Sequence, residues 1–217
     1  MSVEREIARF LDENLYSNKD LFTEFARTDG VDEQIKGSDL LLSTVDGKLN
    51  RSVVDEKVAS RYANTNLGTF SLELSFIGRN GQKRCGWFID DTKTTEYYLF
   101  GWLNSVDIPY IEEKHRFDTD SITHNNIREL EWALVSRAKI VKFLEKRGWT
   151  LEKLARQDQK IRENGEVKTK EFVDGVSFRY SDRYIEKPIN ILLKKEDYIK
   201  ISDLNGIIKV DETGSKT

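Results

Sequence analysis

Three charged residues, Asp39, Asp55 and Lys57, lie in or beside segments of the sequence that are otherwise apolar. Asp39 directly precedes a run of three leucines, and Asp55 and Lys57 follow a pair of valines. Two carboxylates and an ammonium group at one end of a sheet are costly to desolvate unless a metal ion and water share the charge. Carboxylate and backbone carbonyl oxygens suit Mg²⁺, and a neighbouring lysine can orient or help deprotonate an attacking water.

Two predicted strands joined by a short turn must position these residues. The pattern predicts one strand over residues 37–45 and a second over residues 51–57, and Asp46-Gly47 between them is a typical hairpin signal. Because side chains alternate along a strand, Asp55 and Lys57 project to one face and Glu56 to the other. We therefore predict that Asp39, Asp55 and Lys57 cluster at one end of the sheet, with the two aspartate Cβ atoms less than about 10 Å apart.

With this placement the sequence resembles the PD-(D/E)XK nuclease superfamily, which includes archaeal-type Holliday-junction resolvases and many restriction endonucleases. Gly37-Ser38-Asp39-Leu40-Leu41 and Asp55-Glu56-Lys57 carry the resemblance, and the two aspartates are 16 positions apart. Ser38 stands where the family often has proline, and Asp55 stands in place of glutamate. The resemblance covers residues 3–103 and implies a Mg²⁺-dependent endodeoxyribonuclease, with Mn²⁺ as a substitute metal.

The resemblance also implies a role for each residue of the two motifs. Asp39 and Asp55 would ligate Mg²⁺, the backbone carbonyl of Glu56 would add a ligand, and Lys57 would serve the attacking water.

Other glutamates are further candidates for this site. In resolvase-like members a glutamate of the first helix leans toward the metal, which Glu4 or Glu6 would do here. Glu73 lies on the polar face of a predicted strand, where it is either another acid near the metal or simply a solvated side chain.

The whole chain is predicted to have an α/β or α+β fold. The resemblance implies a restriction-endonuclease-like central mixed β-sheet flanked by helices, with a C-terminal extension of helices and strands. The predicted division is a nuclease-like core over residues 1–110, a C-terminal part over residues 111–210 and a disordered tail over residues 211–217. The hydrophobic pattern predicts helices over residues 3–15, 123–148 and 150–164, and strands over residues 69–77, 84–89 and 96–103 that continue the sheet in antiparallel order.

The charges are unevenly distributed along the 217 residues, which carry 35 basic and 38 acidic side chains. The first 135 residues have a net charge of −8 and the rest a net charge of +5. Nine basic and three acidic residues lie between positions 136 and 162. The functional interpretation of this basic run is contact with DNA phosphates, with Lys139, Lys142 and Lys146 as sample positions. The alternative is the solvated face of helices packed on the sheet.

Composition excludes several other classes of protein. The single cysteine, Cys85, cannot form an internal disulfide, and with His115 and His124 it cannot complete a structural zinc site. The sequence contains no phosphate-cradling glycine loop, no nucleophile elbow and no apolar run long enough to cross a bilayer, so a cytoplasmic protein without a membrane partner is expected. One aromatic block is interpreted as sheet core, with base stacking as the alternative: Trp87, Tyr97, Tyr98, Phe100 and Trp102.

Two functions from different classes compete for this sequence. The first is a metal-dependent nuclease that hydrolyses DNA phosphodiester bonds, cutting one strand per active site, so that duplex cleavage would need a homodimer or two binding events. The second is a catalytically inactive nuclease-fold protein with a binding or regulatory role in a phage or mobile element. The alternative interpretation of the residues themselves is that Asp39 is a strand-entry residue and that Asp55 and Lys57 form an ordinary ion pair.

Overall fold

The computed structural model describes residues 2–28, 30, 36–167 and 171–211. The tail predicted over residues 211–217 therefore lies, beyond Asp211, outside the described residues. A π-helical turn, Asp12–Tyr16, continues the first helix. In chain order the helices and strands are α1 (Val3–Leu11), β1 (Phe22–Arg27), β2 (Leu40–Thr44), β3 (Ser52–Val58), β4 (Thr69–Ile77), β5 (Lys83–Cys85), β6 (Tyr97–Val106), β7 (Tyr110–Ile111), β8 (Arg116–Phe117), β9 (Ile127–Ser136), α2 (Arg137–Glu145), α3 (Leu151–Asn164), β10 (Ser177–Tyr180), β11 (Ile189–Lys194), α4 (Lys195–Ile201) and β12 (Leu204–Lys209).

The chain divides into two compact units, each assembled from segments that are distant in the sequence. The first unit comprises Met1–Leu67, Thr95–Ser136 and Ser202–Thr217, and the second comprises Gly68–Thr94 and Arg137–Ile201. The chain thus passes between the units four times, and none of these crossings lies near the predicted boundary at residue 110.

A six-stranded mixed sheet forms the first unit, with the strand order β1-β2-β3-β6-β9-β12. β3 and β6 pair in parallel, and the other neighbouring strands pair antiparallel. The amphipathic first helix is confirmed: α1 contributes Ile7, Phe10 and Leu11 to a buried core that also contains Leu42 and Leu134. The coarse fold class, helices combined with a mixed sheet, is also confirmed.

The β2–β3 hairpin forms where the sequence predicts it. Asp46 accepts hydrogen bonds from the Thr44 hydroxyl and the Lys48 backbone N–H, at 2.7 and 3.1 Å. Gly47 adopts a φ of +72°, a conformation that glycine tolerates without strain. The turn fixes the register of the hairpin, and the register decides which residues of the two strands face each other.

A four-stranded antiparallel sheet, in the order β10-β11-β4-β5, belongs to the second unit. The helix predicted over residues 150–164 is confirmed: the Thr150 hydroxyl accepts a hydrogen bond from the Lys153 backbone N–H at the start of α3. A buried polar cluster ties α3 to this sheet, because Asp158 accepts a hydrogen bond from Ser75 on β4 and pairs with Lys83 on β5.

The single helix predicted over residues 123–148 is wrong in its first half. Ile127, Leu130 and Leu134 fit a helical stripe, but they lie on strand β9, between β6 and β12. Residues 132–135 are all buried, because a central strand is covered on both faces and loses the alternation that identifies a strand. The helix begins only at Arg137.

The predicted antiparallel continuation of the sheet is also wrong. The strand over Thr69–Ile77 forms with the predicted bounds, but it pairs with β11 and β5 in the other sheet. β6 does join β3, but in parallel, and a parallel pair needs a crossover connection. Residues 68–94 of the second unit provide that connection along the chain. Tyr98, Phe100 and Trp102 on β6 are buried, which confirms the core interpretation for these three aromatic residues.

Among the described residues, no helix combines the length and the apolar character needed to cross a membrane.

Candidate active site

Asp39 and Asp55 face each other across the β2–β3 hairpin. The last pair of the ladder is Leu40 with Val54, and the Asp39 backbone N–H donates to the Val54 carbonyl at 2.9 Å. The regular ladder ends at that pair, but the Asp39 carboxylate lies beside β3: it accepts a hydrogen bond from the Glu56 backbone N–H and is close enough to Asp55 to raise the pKa of that carboxyl group. The structure therefore brings together the two carboxylates that the sequence singles out.

The segment before β2 is held by hydrogen bonds that fix the position of Asp39. Gly37 has a φ of +75°, and the Thr95 hydroxyl donates to its carbonyl at 2.6 Å. Thr28 donates from its backbone N–H to the Asp39 carbonyl at 3.0 Å. The Asp39 carboxylate itself accepts a hydrogen bond from the Glu56 backbone N–H at 2.6 Å. Asp39 is thus anchored at both its backbone and its side chain.

Asp55 and Lys57 form an ion pair on the same face, with 2.6 Å between Lys57 Nζ and Asp55 Oδ1. The Asp55 side chain is only 6% exposed, whereas that of Lys57 is 26% exposed. Burial raises the pKa of Asp55 to about 7, because the Lys57 ammonium only partly offsets the desolvation and the Asp39 carboxylate adds to the increase. The site therefore holds more negative charge than its single lysine compensates.

Asp39 and Asp55 offer carboxylate oxygens, the donor type that a hard divalent cation such as Mg²⁺ prefers. Backbone groups of alternate residues point to the same side of a strand, so the Glu56 carbonyl, like its N–H, faces the β2 side of β3 beyond the last hairpin pair. Among the described residues, no group of three or more His, Cys, Asp or Glu side chains could hold a metal. The two carboxylates and the Glu56 carbonyl would then be its protein ligands, and water or phosphate oxygens would complete the coordination.

The Glu56 side chain lies on the opposite face, as the alternation predicts, and it is bound there by a buried network. Arg27 on β1 donates to the Glu56 carboxylate at 2.6 Å and to the Asp12 carboxylate at 2.7 Å. The Tyr16 hydroxyl also donates to Glu56, at 2.8 Å. Burial lowers the pKa of Arg27, but the Glu56 carboxylate outweighs that effect and the net pKa is raised. We call Asp12, Tyr16, Arg27 and Glu56 the Arg27 network.

Sequence reasoning missed the Arg27 network, which holds Glu56, the β3 residue between Asp55 and Lys57. Arg27 ends a segment, Phe22–Arg27, that gives no clean alternation, since the consecutive residues Thr23 and Glu24 are both exposed. Its partners come from α1's extension and from β3. A cation at the end of an aromatic segment was the available signal, but no local pattern pairs it with Glu56.

The other candidate acids do not add a ligand to the described site. Glu4 is exposed on the first turn of α1. Glu6 is buried and is engaged by His124, whose Nδ1 lies 2.6 Å from its carboxylate and whose backbone N–H donates to it at 2.9 Å. These contacts lower the pKa of Glu6. Glu73 lies on β4, in the sheet of the second unit.

The three sample lysines of the basic run lie on or directly after α2 in the second unit. Lys139 and Lys142 belong to the helix, and Lys146 follows its last residue. All three are exposed. Their contact with DNA phosphates stays a prediction.

Comparison of the chain with family models, curated proteins and solved structures finds no match.

The raised pKa of Asp55 predicts an unusual dependence of stability on pH in the absence of divalent metal. A carboxyl group whose folded-state pKa lies above its ordinary value of 3.8 binds a proton more tightly in the folded state. Stability therefore falls as the pH rises from about 4 to about 7, and the cost of the ionised carboxylate is fully present above pH 7. We expect Asp55→Asn to stabilise the metal-free protein at pH 8 by about 2 kcal/mol, and to have little effect at pH 4.

Urea denaturation in EDTA at both pH values measures this difference, and Asp46→Asn is the matched control. The side chain of Lys48 and then that of Thr44 lower the pKa of Asp46 to about 2, so the control is expected to destabilise the protein at pH 8. An Asp55→Asn variant that is less stable than wild type at pH 8 would contradict the assignment of a raised pKa to Asp55.

Proposed function

We propose that this protein is a metal-dependent nuclease that hydrolyses phosphodiester bonds in DNA, with a restriction-endonuclease-like core. The observation that carries the proposal is the proximity of the Asp39 and Asp55 carboxyl groups at one end of the hairpin, with Lys57 paired to Asp55. The first motif lies at the start of β2, the second lies within β3, and both strands belong to a mixed sheet, as the resemblance to PD-(D/E)XK nucleases implies.

Each residue of the site has a distinct part in the proposed reaction. Asp39 and Asp55 would hold Mg²⁺ together with the Glu56 carbonyl oxygen. When bound, the ion would supply positive charge at the scissile phosphate and would acidify its bound water. Lys57 reaches beyond Asp55 to a more exposed position, where its ammonium would orient the attacking water and balance the developing negative charge.

The small number of carboxylates favours a second candidate, the nuclease-fold protein without turnover. Two acids, one of them paired with a lysine at 2.6 Å, would bind a divalent cation less tightly than three. In that case the hairpin would keep its geometry, and the protein would bind DNA in a regulatory role.

Incubation of the protein with supercoiled plasmid, linear duplex, branched DNA and single strands decides between the two candidates. We expect nicking with Mg²⁺ or Mn²⁺ and none in EDTA, accompanied by a calorimetric signal for metal binding. A folded protein that binds no metal and cuts none of these DNA forms would leave the regulatory candidate in place of the enzyme.

A further inference from the structure

Two turns of the second unit lie side by side at one end of its four-stranded sheet. The first turn, residues 78–82, joins β4 to β5, and the second, residues 181–188, joins β10 to β11. Because the four strands alternate in direction, β4 ends and β11 begins at the same end of the sheet. We call these two segments the paired turns.

The longer of the paired turns has a firmly anchored backbone. The Ile77 backbone N–H on β4 donates to the Glu186 carbonyl at 2.6 Å, and Arg162 of α3 donates to the Lys187 carbonyl at 3.2 Å. Within the turn, the Lys187 backbone N–H donates to the Tyr184 carbonyl at 3.0 Å. The conformation of this turn is therefore set by its neighbours in β4 and α3.

Two large apolar side chains stand at the tip of this anchored turn. Ile185 is 93% exposed and Tyr184 is 56% exposed. No other large apolar side chain in the described residues is as exposed as Ile185. An anchored turn that holds isoleucine and tyrosine outward gains nothing for its own fold, so the pair is positioned for a partner.

The paired turns are rich in basic residues. The sequence from Gly78 to Arg84 and from Ser181 to Pro188 contains five basic and two acidic residues. Among the described residues, none forms an ion pair with Arg79, Arg84, Arg183 or Lys187, and all four are exposed. Cations held at a sheet edge without acidic partners match a phosphate backbone.

From this geometry we infer that the paired turns are a DNA-distorting contact: the cations bind phosphates, and Tyr184 and Ile185 wedge against a base step and unstack it. The inference rests on the proposed function for its choice of DNA as the partner. Proteins that kink DNA insert one or two apolar side chains between bases, with cations on either side, and a two-residue tip matches that requirement. The substrate class favoured is DNA with flexible or interrupted stacking, such as nicked or branched duplexes.

The size of the apolar pair argues against other partners. A stable protein interface buries about 800 Å² on each side around an apolar centre, and the residues flanking this pair are charged or polar. Attachment to a membrane surface uses a broad apolar face of a helix, whereas this tip belongs to a turn.

The test uses the full chain in EDTA, so that binding is measured without cleavage, on a duplex that carries a fluorescent 2-aminopurine beside a nick. Wild type is expected to bind and to increase the fluorescence by unstacking the probe. Tyr184→Ser with Ile185→Ser is expected to bind about tenfold more weakly and to abolish the increase, with an unchanged circular dichroism spectrum. Arg79→Ala and Arg183→Ala should each reduce the salt slope of binding by about one.

The matched control is Val45→Ser with Ile207→Ser, which removes two apolar side chains that are 53% and 55% exposed in the first unit. It should bind like wild type. The inference would be overturned if the Tyr184→Ser, Ile185→Ser variant bound DNA as tightly as wild type. It would also be overturned if wild type bound phosphatidylserine vesicles and this variant lost that binding while it kept its DNA binding. Absence of DNA binding by wild type in EDTA would also overturn it. Nicking by wild type in Mg²⁺ would show in each case that the proposed function stands.

Discussion

Asp55→Asn and Lys57→Ala are each expected to reduce Mg²⁺-dependent nicking of supercoiled plasmid by roughly 10³-fold, for different reasons. Asp55→Asn removes the charge of a metal ligand, so the affinity for Mg²⁺ should fall together with the activity. Lys57→Ala leaves both carboxylates in place, so the metal should still bind while activation of the water is lost. Calorimetry with Mg²⁺ or Mn²⁺, run beside the nicking assay, separates the two effects.

The hairpin supplies an internal control for these two variants. Asp46 and Lys48 form a second Asp-x-Lys triplet at the turn, with 2.8 Å between the two charged groups. This pair is exposed, whereas Asp55 is buried and lies close to Asp39. Asp46→Asn and Lys48→Ala should therefore retain metal binding and nicking. If these variants lose as much activity as the β3 variants, the loss reflects damage to the hairpin and does not identify a catalytic site.

Arg27→Met is expected to destabilise the protein by about 3 kcal/mol, the largest effect on stability that we predict for a single side chain outside the apolar core. The substitution preserves most of the side-chain volume but leaves the Glu56 and Asp12 carboxylates without their shared cation. The Glu56 side chain is only 10% exposed, so water can solvate the stranded charge only in part. Urea denaturation at pH 7 measures the loss.

Arg9→Met is the matched control for Arg27→Met. Arg9 pairs with Glu13 at 2.8 Å, but both side chains are about half exposed, and such pairs contribute roughly 0.5 kcal/mol. Adding Glu56→Gln to Arg27→Met should restore part of the lost stability, because the amide carries no charge. Equal losses for Arg9→Met and Arg27→Met would show that the Arg27 network does not hold β1, β3 and the first helix together.

The sequence predicts correctly those parts of the fold that depend on a few neighbouring residues. Asp46-Gly47 identifies the hairpin, and Thr150 identifies the start of α3. The sequence does not predict strand β9, because a central strand lacks alternation. It does not predict the parallel pairing of β3 with β6 either, because that pairing joins residues more than 40 positions apart. Pairing at that separation depends on the whole fold, and no window of the sequence contains both partners.

The same distinction between local and long-range contacts applies to the candidate site. Asp39 and Asp55 could be placed together because one short turn fixes their register. Arg27 could not be assigned to Glu56, because the two residues meet across strands β1 and β3, which are not adjacent in the sheet. Long side chains that reach over an intervening strand leave no periodic trace in a sequence.

The interleaving of the two units has a consequence for synthesis of the chain. Leu134 on β9 pairs with Leu204 on β12. During synthesis, the backbone of β9 that faces β12 therefore stays unpaired until 70 more residues have been made. During that interval its N–H and C=O groups form an open template for other growing chains, and the neighbouring side chains are strongly apolar. We therefore expect aggregation to be most severe while residues 137–203 are being synthesised, and we expect expression at a lower temperature to raise the yield of folded protein.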